Sequence, residues 1–321
     1  MKKTLYKRII PAVIFAIIML GSLIPLSIYS HESQISRIFS FIFIWALAII
    51  SFYEFFKAQR LRWYWAITLA LLYCLATIFP VEEITIPWLT KAGKVSNPNL
   101  ADTVNFGADW QITKYALLLA SDPYIIVLSK SIAIAFGIIE LFTRTATRLI
   151  DRLARILLCC ISIYILCIFA KIYHGFIVYQ GMWKYWLTII LVASFADTFG
   201  YVFGSAFGKK WIIAPFTPNI SPKKTWEGFI GSIIMGSAIA LTLVFSLDLF
   251  NNIALKILFS FTAPFIAVVG DLYFSYIKRI NGIKDYSKLL KGHGGLLDRL
   301  DSISFLCVLA YLFLIINNLF I

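Results

Sequence analysis

A bilayer-spanning helix needs roughly 20 apolar residues in a row, and this chain supplies such a run again and again. Nine stretches meet the measure, at about 9–29, 35–56, 61–79, 122–142, 153–173, 183–206, 226–249, 253–280 and 300–319. The composition agrees: 60% of the 321 residues are hydrophobic and 14% are charged, where a soluble domain carries about a quarter charged. The expectation is an all-α polytopic membrane protein of about nine transmembrane helices. The N-terminus, "MKKTLYKRII" and a long apolar run, resembles a signal peptide. The run exceeds a usual signal core and no small-x-small cleavage site follows, so it reads as an uncleaved first span.

The net charge of +13 has a topological explanation in such a chain, since connections on the cytoplasmic side hold an excess of Lys and Arg. With the N-terminus in the cytoplasm and nine crossings, 21 of the 29 basic residues fall in cytoplasmic connections and seven on the other side. The expected topology is N-terminus cytoplasmic, C-terminus outside. Nothing resembles a nucleic-acid module, so no nucleic-acid partner is expected. The five cysteines lie in apolar runs without metal spacing and read as small core residues. Two regions follow. Residues 1–180 form a multi-span region that includes an irregular outer connection, 80–121, with a hinge near Gly175. Residues 181–321 hold the chemistry, with cytoplasmic loops 207–225 and 281–299.

Carboxylates inside membrane spans are expensive unless paired, metal-bound or solvated. Glu54 and Glu140, close in sequence to Lys57 and Arg144, read as interfacial salt bridges. Asp248 reads as solvated at an outer helix end. Asp197 and Asp271 are different. Asp271 lies nine residues before the helix end expected at Ile280, about 14 Å along the axis, too deep to face lipid as an anion. Ser275 and Lys278 share its helix face, and a face of carboxylate, hydroxyl and ammonium suits a metal-bound phosphate, with a buried Asp–Lys pair as the structural alternative. Asp298 and Asp301, spaced i, i+3, share a face at the start of the last span. There they suit the helix dipole, or, converging with Asp271, could hold Mg²⁺ through hard oxygen ligands.

The connection between the last two spans, "SYIKRINGIKDYSKLLKGHGGLLDRLDS" (275–302), carries six Lys/Arg, three Asp and four glycines. Glycine lets backbone N–H groups approach a phosphate closely; Gly294, Gly295 and His293 stand where such a contact would form, and a plain turn is the alternative for His293. A second connection, "FGKKWIIAPFTPNISPKKTWEGFIGS", offers a turn at Ser221–Pro222, charge at Lys223 and Lys224, a cap at Thr225 and Glu227 in the first helical turn, an arrangement that suits an anion. No Walker A sequence is present.

These segments resemble those of the phosphatidate cytidylyltransferases, or CDP-diacylglycerol synthases. The likeness rests on Ser275, Lys278–Arg279, Lys284–Asp285, Ser287, Leu290, His293–Gly294–Gly295, Asp298–Arg299 and Asp301, on "SPKKTWEG" (221–228) and on "DTFGYVFG" (197–204). It covers about 125 residues from roughly 195 onward, and "YEFF" (53–56) is a faint echo in the first half. Lys291 departs from the pattern, where Pro or Gly is usual. The resemblance implies that CTP and phosphatidate give CDP-diacylglycerol and pyrophosphate by in-line attack of the lipid phosphate on the α-phosphorus. Asp271, Asp298 and Asp301 are then expected as metal ligands for Mg²⁺, with room for a second cation. Lys223, Lys224, Lys278 and Arg279 would hold phosphates, and Ser221, Thr225, Asp197, His293, Ser275, Gly294, Gly295 and Arg299 would contact substrate. The resemblance also implies a homodimer. Usage of Ile, Lys, Asn and Phe suggests an AT-rich genome, hence a bacterial inner membrane with the site facing the cytoplasm. The alternatives are a CTP-dependent polyprenol or lipid kinase and, from another class, an anionic-solute transporter, which the absence of an internal repeat disfavours.

Overall fold

The computed structural model describes residues 17–30, 33–78, 110–121, 123–143, 148–287 and 294–317. Among them are ten helices: α1 (Ile17–Tyr29), then α2 (Gln34–Ala58), α3 (Trp63–Ile78), α4 (Trp110–Ser121), α5 (Pro123–Thr143), α6 (Leu149–Val178), α7 (Trp183–Phe207), α8 (Trp226–Ser246), α9 (Ile253–Ile280) and α10 (Leu297–Asn317). Seven of the described helices, α2 and α5 to α10, are long and apolar enough to cross a membrane. Helices α1 and α3 are apolar but shorter, so the described residues hold seven candidate spans where the sequence suggested nine, and each of the nine stretches overlaps a helix.

Two expectations need correction. The connection 80–121 is helical in its last part, as α4; residues 80–109 lie outside the described ones. No hinge interrupts α6, which runs through Gly175 as one 30-residue helix, about 45 Å long. Gly175 serves packing instead. A Cβ there would stand 3.0 Å from side-chain atoms of Ile112 and Tyr115, so the glycine lets α4 lie against α6.

The site-bearing half is held by small residues, as expected where lipid removes the hydrophobic drive for helix association. Gly200, Gly204 and Gly208 repeat every four residues on α7 and its end, facing Thr225, Gly228 and Ser232 at the start of α8. Across that contact the Ser232 hydroxyl donates to the Ala196 carbonyl at 2.8 Å. Gly231 faces the Phe203 ring, Gly236 faces Pro264 of α9, and Gly270 faces the backbone of Asp301 on α10. Two helix starts of this half are capped by their own side chains: the Thr225 hydroxyl accepts from Gly228 N–H and the Asn252 side chain from Ala254 N–H.

One end of the bundle gathers the polar connections. The Arg155 guanidinium, inside α6 and 7% exposed, meets Glu140 at 2.7 Å and donates to the backbone and side-chain oxygens of Gln59. Asn281, capping α9, donates to the same Gln59 side chain. Arg279 donates to the Ile220 carbonyl in the α7–α8 loop. The α2–α3 turn, the α7–α8 loop and the α9–α10 loop therefore lie together. Glu140 pairs with Arg155; Arg144, the partner expected from the sequence, falls outside the described residues. Asp248, at the opposite end, has its side chain 81% exposed and pairs with Lys256, as a solvated terminal acid should. Cys159, Cys167 and Cys307 are buried thiols.

The tight crossing at Gly231 predicts that Gly231→Val destabilises by about 1–3 kcal/mol through overpacking against Phe203. Gly21→Val, where a Cβ meets nothing within 4 Å, should leave the thermal midpoint in the same detergent unchanged. Equal midpoints for both variants would contradict the packing account.

Candidate active site

The α7–α8 loop owes its shape to turns and to one carboxylate. Ser221 N–H donates to the Thr217 carbonyl and Lys224 N–H to the Ser221 carbonyl. Glu227, 1% exposed in the first turn of α8, accepts from the N–H groups of Trp211 and Ile212 at 3.0 Å each. These bonds carry the loop back over the α7–α8 crossing and present Lys223 and Lys224 to a cleft of about 350 Å³. Tyr201, Phe229 and Val268 give the cleft apolar walls; Asp197, Lys223 and Lys224 give it a charged end.

At that end the Lys224 ammonium meets Oδ2 of Asp271, and the Ser275 hydroxyl lies 3.4 Å from Oδ1. Asp197, Asp271 and Asp301 lie within electrostatic reach of one another, with Lys224, Arg299 and Lys278 among them. Asp301 is 6% exposed and accepts from the N–H of Ser302 at 2.7 Å. It sits where Gly270 allows α9 and α10 to touch. Among the described residues, no three Asp, Glu, His or Cys side chains are gathered closely enough to hold one metal ion as they stand.

Lys278 and Asp298 form a different unit. Their side chains meet at 2.7 Å and are 9% and 5% exposed. The second oxygen of Asp298 accepts from Tyr286 N–H at 2.9 Å and Gly295 N–H at 2.7 Å. This carboxylate pins both arms of the α9–α10 loop to the end of α9. Gly294, with φ +81°, has no Cβ where one would stand 2.5 Å from that same oxygen. Tyr286 closes the unit from below, its hydroxyl donating to the Phe274 carbonyl; burial pushes this phenol well above its usual pKa, keeping it a neutral donor.

The start of α10 is capped from the other half of the chain. Leu296, its N-cap, has no side-chain oxygen. Glu54 of α2, 3% exposed, fills the place, accepting from Leu296 N–H at 3.1 Å, Leu297 N–H at 2.9 Å and the Ser287 hydroxyl at 2.6 Å. Glu54 is therefore not an interfacial partner of Lys57, whose ammonium lies over the Tyr53 ring. Sequence reasoning gave Glu54 no role in the site. The usable signal was an acid in an apolar run together with Leu-Leu at a helix start that lacks its own cap.

The remaining sequence candidates fall as follows. Ser221 and Thr225 shape the loop and the start of α8, Arg279 ties that loop to α9, and Arg299 is exposed on the first turn of α10. His293 and Lys291 lie outside the described residues.

Comparison with known proteins places this geometry. The profile of the cytidylyltransferase family matches residues 6–317. The chain is 43% identical over 124 residues to a phosphatidate cytidylyltransferase of Mycobacterium tuberculosis, covering 38% of this chain and 35% of that one. It is 41% identical over 138 residues to the enzyme of that name from Helicobacter pylori, covering 41% and 49%. The one from Staphylococcus haemolyticus is 40% identical over 131 residues, covering 41% and 49%. The chain thus spans between a third and a half of the length of these relatives.

The Glu54 cap leaves no room for a side chain at Gly295, where a Cβ would stand 2.4 Å from the carboxylate. Gly295→Ala should therefore destabilise by about 1–3 kcal/mol, read as a lowered thermal midpoint. A variant as stable as the parent would contradict the close approach.

Proposed function

This chain belongs to the cytidylyltransferase family, and we propose that it is a phosphatidate cytidylyltransferase, converting CTP and phosphatidate to CDP-diacylglycerol and pyrophosphate. The observation that carries this reading is a cleft with apolar walls and a charged end lined by Asp197, Lys223 and Lys224, with Asp271 paired to Lys224. Such a site suits an amphiphile whose phosphate must react while its chains stay in oil. Relatives named for this activity support the same substrates.

In this reading the lipid phosphate attacks the α-phosphorus of CTP in line and pyrophosphate leaves. Transfers of this kind need positioning and charge neutralisation more than covalent help. Lys223 and Lys224 bring positive charge to the cleft, and the start of α8, held by Thr225, adds the positive end of a helix dipole. Lys278, Asp298 and Glu54 hold the α9–α10 loop beside it. Mg²⁺ belongs to the proposal. The carboxylates of Asp197, Asp271 and Asp301 share one electrostatic neighbourhood and offer the hard oxygen donors this ion prefers. Asp298, whose second oxygen accepts from two backbone N–H groups of the α9–α10 loop, is assigned to holding that loop instead. When bound, the ion would neutralise phosphate charge.

The proposal also contains nine crossings, the polar end in the cytoplasm of a bacterial inner membrane, and a homodimer. The gathering of basic connections at the polar end supports the orientation; the homodimer rests on family resemblance.

Purified protein given phosphatidate, Mg²⁺ and CTP labelled in the cytidine should form labelled lipid and release pyrophosphate. Release of CDP with a newly phosphorylated lipid, or no labelled lipid at all, would overturn the assignment. Asp271→Asn should lower turnover by about a hundredfold or more with an unchanged thermal midpoint. Near-normal turnover would remove Asp271 from the site.

A further inference from the structure

A second cleft, of about 400 Å³, lies at the polar end between the α2–α3 turn and the end of α5. Among the described residues its lining includes Arg60, Arg62, Tyr64 and Trp65 but no residue of the first cleft and no carboxylate. Arg60 follows the C-cap of α2 in the left-handed region, with φ +59°, a position that favours glycine. Lys209, Asp248 and Phe250 share this conformation, so the case for Arg60 rests on what its side chain lines. Its guanidinium reaches the α9–α10 loop: a Cβ on Gly282 would stand 2.5 Å from Nη2.

Arg62 supplies a second guanidinium, oriented by a bond from Nη1 to the Tyr64 hydroxyl at 3.1 Å. It also serves as the N-cap of α3, accepting from Ala66 N–H, so the positive end of that helix faces the same region. Beside the cleft, Trp63 and Trp65 are 67% and 38% exposed at the start of an apolar helix. Tryptophan in that position marks the membrane–water interface.

The geometry points to a second anion site, formed by Arg60, Arg62 and the start of α3, that takes the phosphodiester headgroup of an anionic membrane phospholipid. The chemistry recognised is phosphate: two planar guanidiniums suit its oxygens. The exposed indoles and the adjoining apolar helix favour lipid over free phosphate as the source. Occupancy would stand one contact away from the loop that carries Tyr286 and Gly295.

The test is lipid retention by the full chain in nonionic detergent, read by native mass spectrometry with phosphatidylglycerol, phosphatidylcholine or inorganic phosphate as the probe. This readout is independent of turnover. The parent should bind one more phosphatidylglycerol than Arg60→Gly/Arg62→Gln does, with affinity about tenfold higher at that site, while phosphatidylcholine retention is the same in both. Millimolar inorganic phosphate should leave the bound phosphatidylglycerol in place. Arg60→Gly alone removes a guanidinium and relieves the backbone, so it should fold at least as stably and still lose affinity. Retention equal to the parent in a folded Arg60→Gly variant overturns the proposal. So does displacement by inorganic phosphate, which would make this a free-anion site.

Discussion

The polar end of this bundle depends on one buried carboxylate. Glu54 comes from α2, yet its bonds are to Ser287, Leu296 and Leu297, in the loop and helix start that also carry Asp298 and Asp301. A charge this deep is costly unless its hydrogen-bonding capacity is met. Here one oxygen accepts from a backbone N–H and a hydroxyl, the other from a backbone N–H, at the positive end of α10. The same bonds satisfy donors that Leu296 could not satisfy itself. The N-terminal half thereby becomes part of the machinery that shapes the site, beyond its role of filling membrane.

Around that cap, charge and smallness work together. Asp298 joins Lys278, Tyr286 and Gly295, and Gly294 and Gly295 are bare because two carboxylates occupy the space their side chains would need. Glycines on α7 and α8 bring those helices close and leave the Lys223–Lys224 segment over the resulting cleft. Gly270 does the same for α9 and α10, bringing the Asp301 backbone next to the residue before Asp271. Asp301 and Asp271 are brought near one another by a helix contact that Gly270 permits.

Much of this was legible in the sequence. Apolar runs located the helices, because a bilayer leaves few other ways to satisfy a backbone. The depth of Asp271 in its helix marked it as an acid that needs a partner, which Lys224 supplies, and the helical period put Ser275 on its face. Period alone was less reliable for Lys278, which shares that face yet turns to Asp298, because a partner twenty residues on competes with one seven residues back. Glu54 was read as an interfacial charge, and Arg155 passed unremarked among the cytoplasmic basic residues, because their partners are far away in sequence. Gln59 lies 96 residues from Arg155, and Leu297 lies 243 from Glu54. Gly175 looked like a hinge because a glycine's use for close packing is visible only with α4 in place.

The claim that Glu54 holds the start of α10 is open to direct measurement by amide hydrogen exchange, resolved to single residues, on the parent and on Glu54→Gln. The account predicts that exchange at Leu296 and Leu297 accelerates by about tenfold or more in the variant, while amides in the middle of α9 keep their protection. Unchanged protection at Leu296 and Leu297 in a folded Glu54→Gln protein would contradict it.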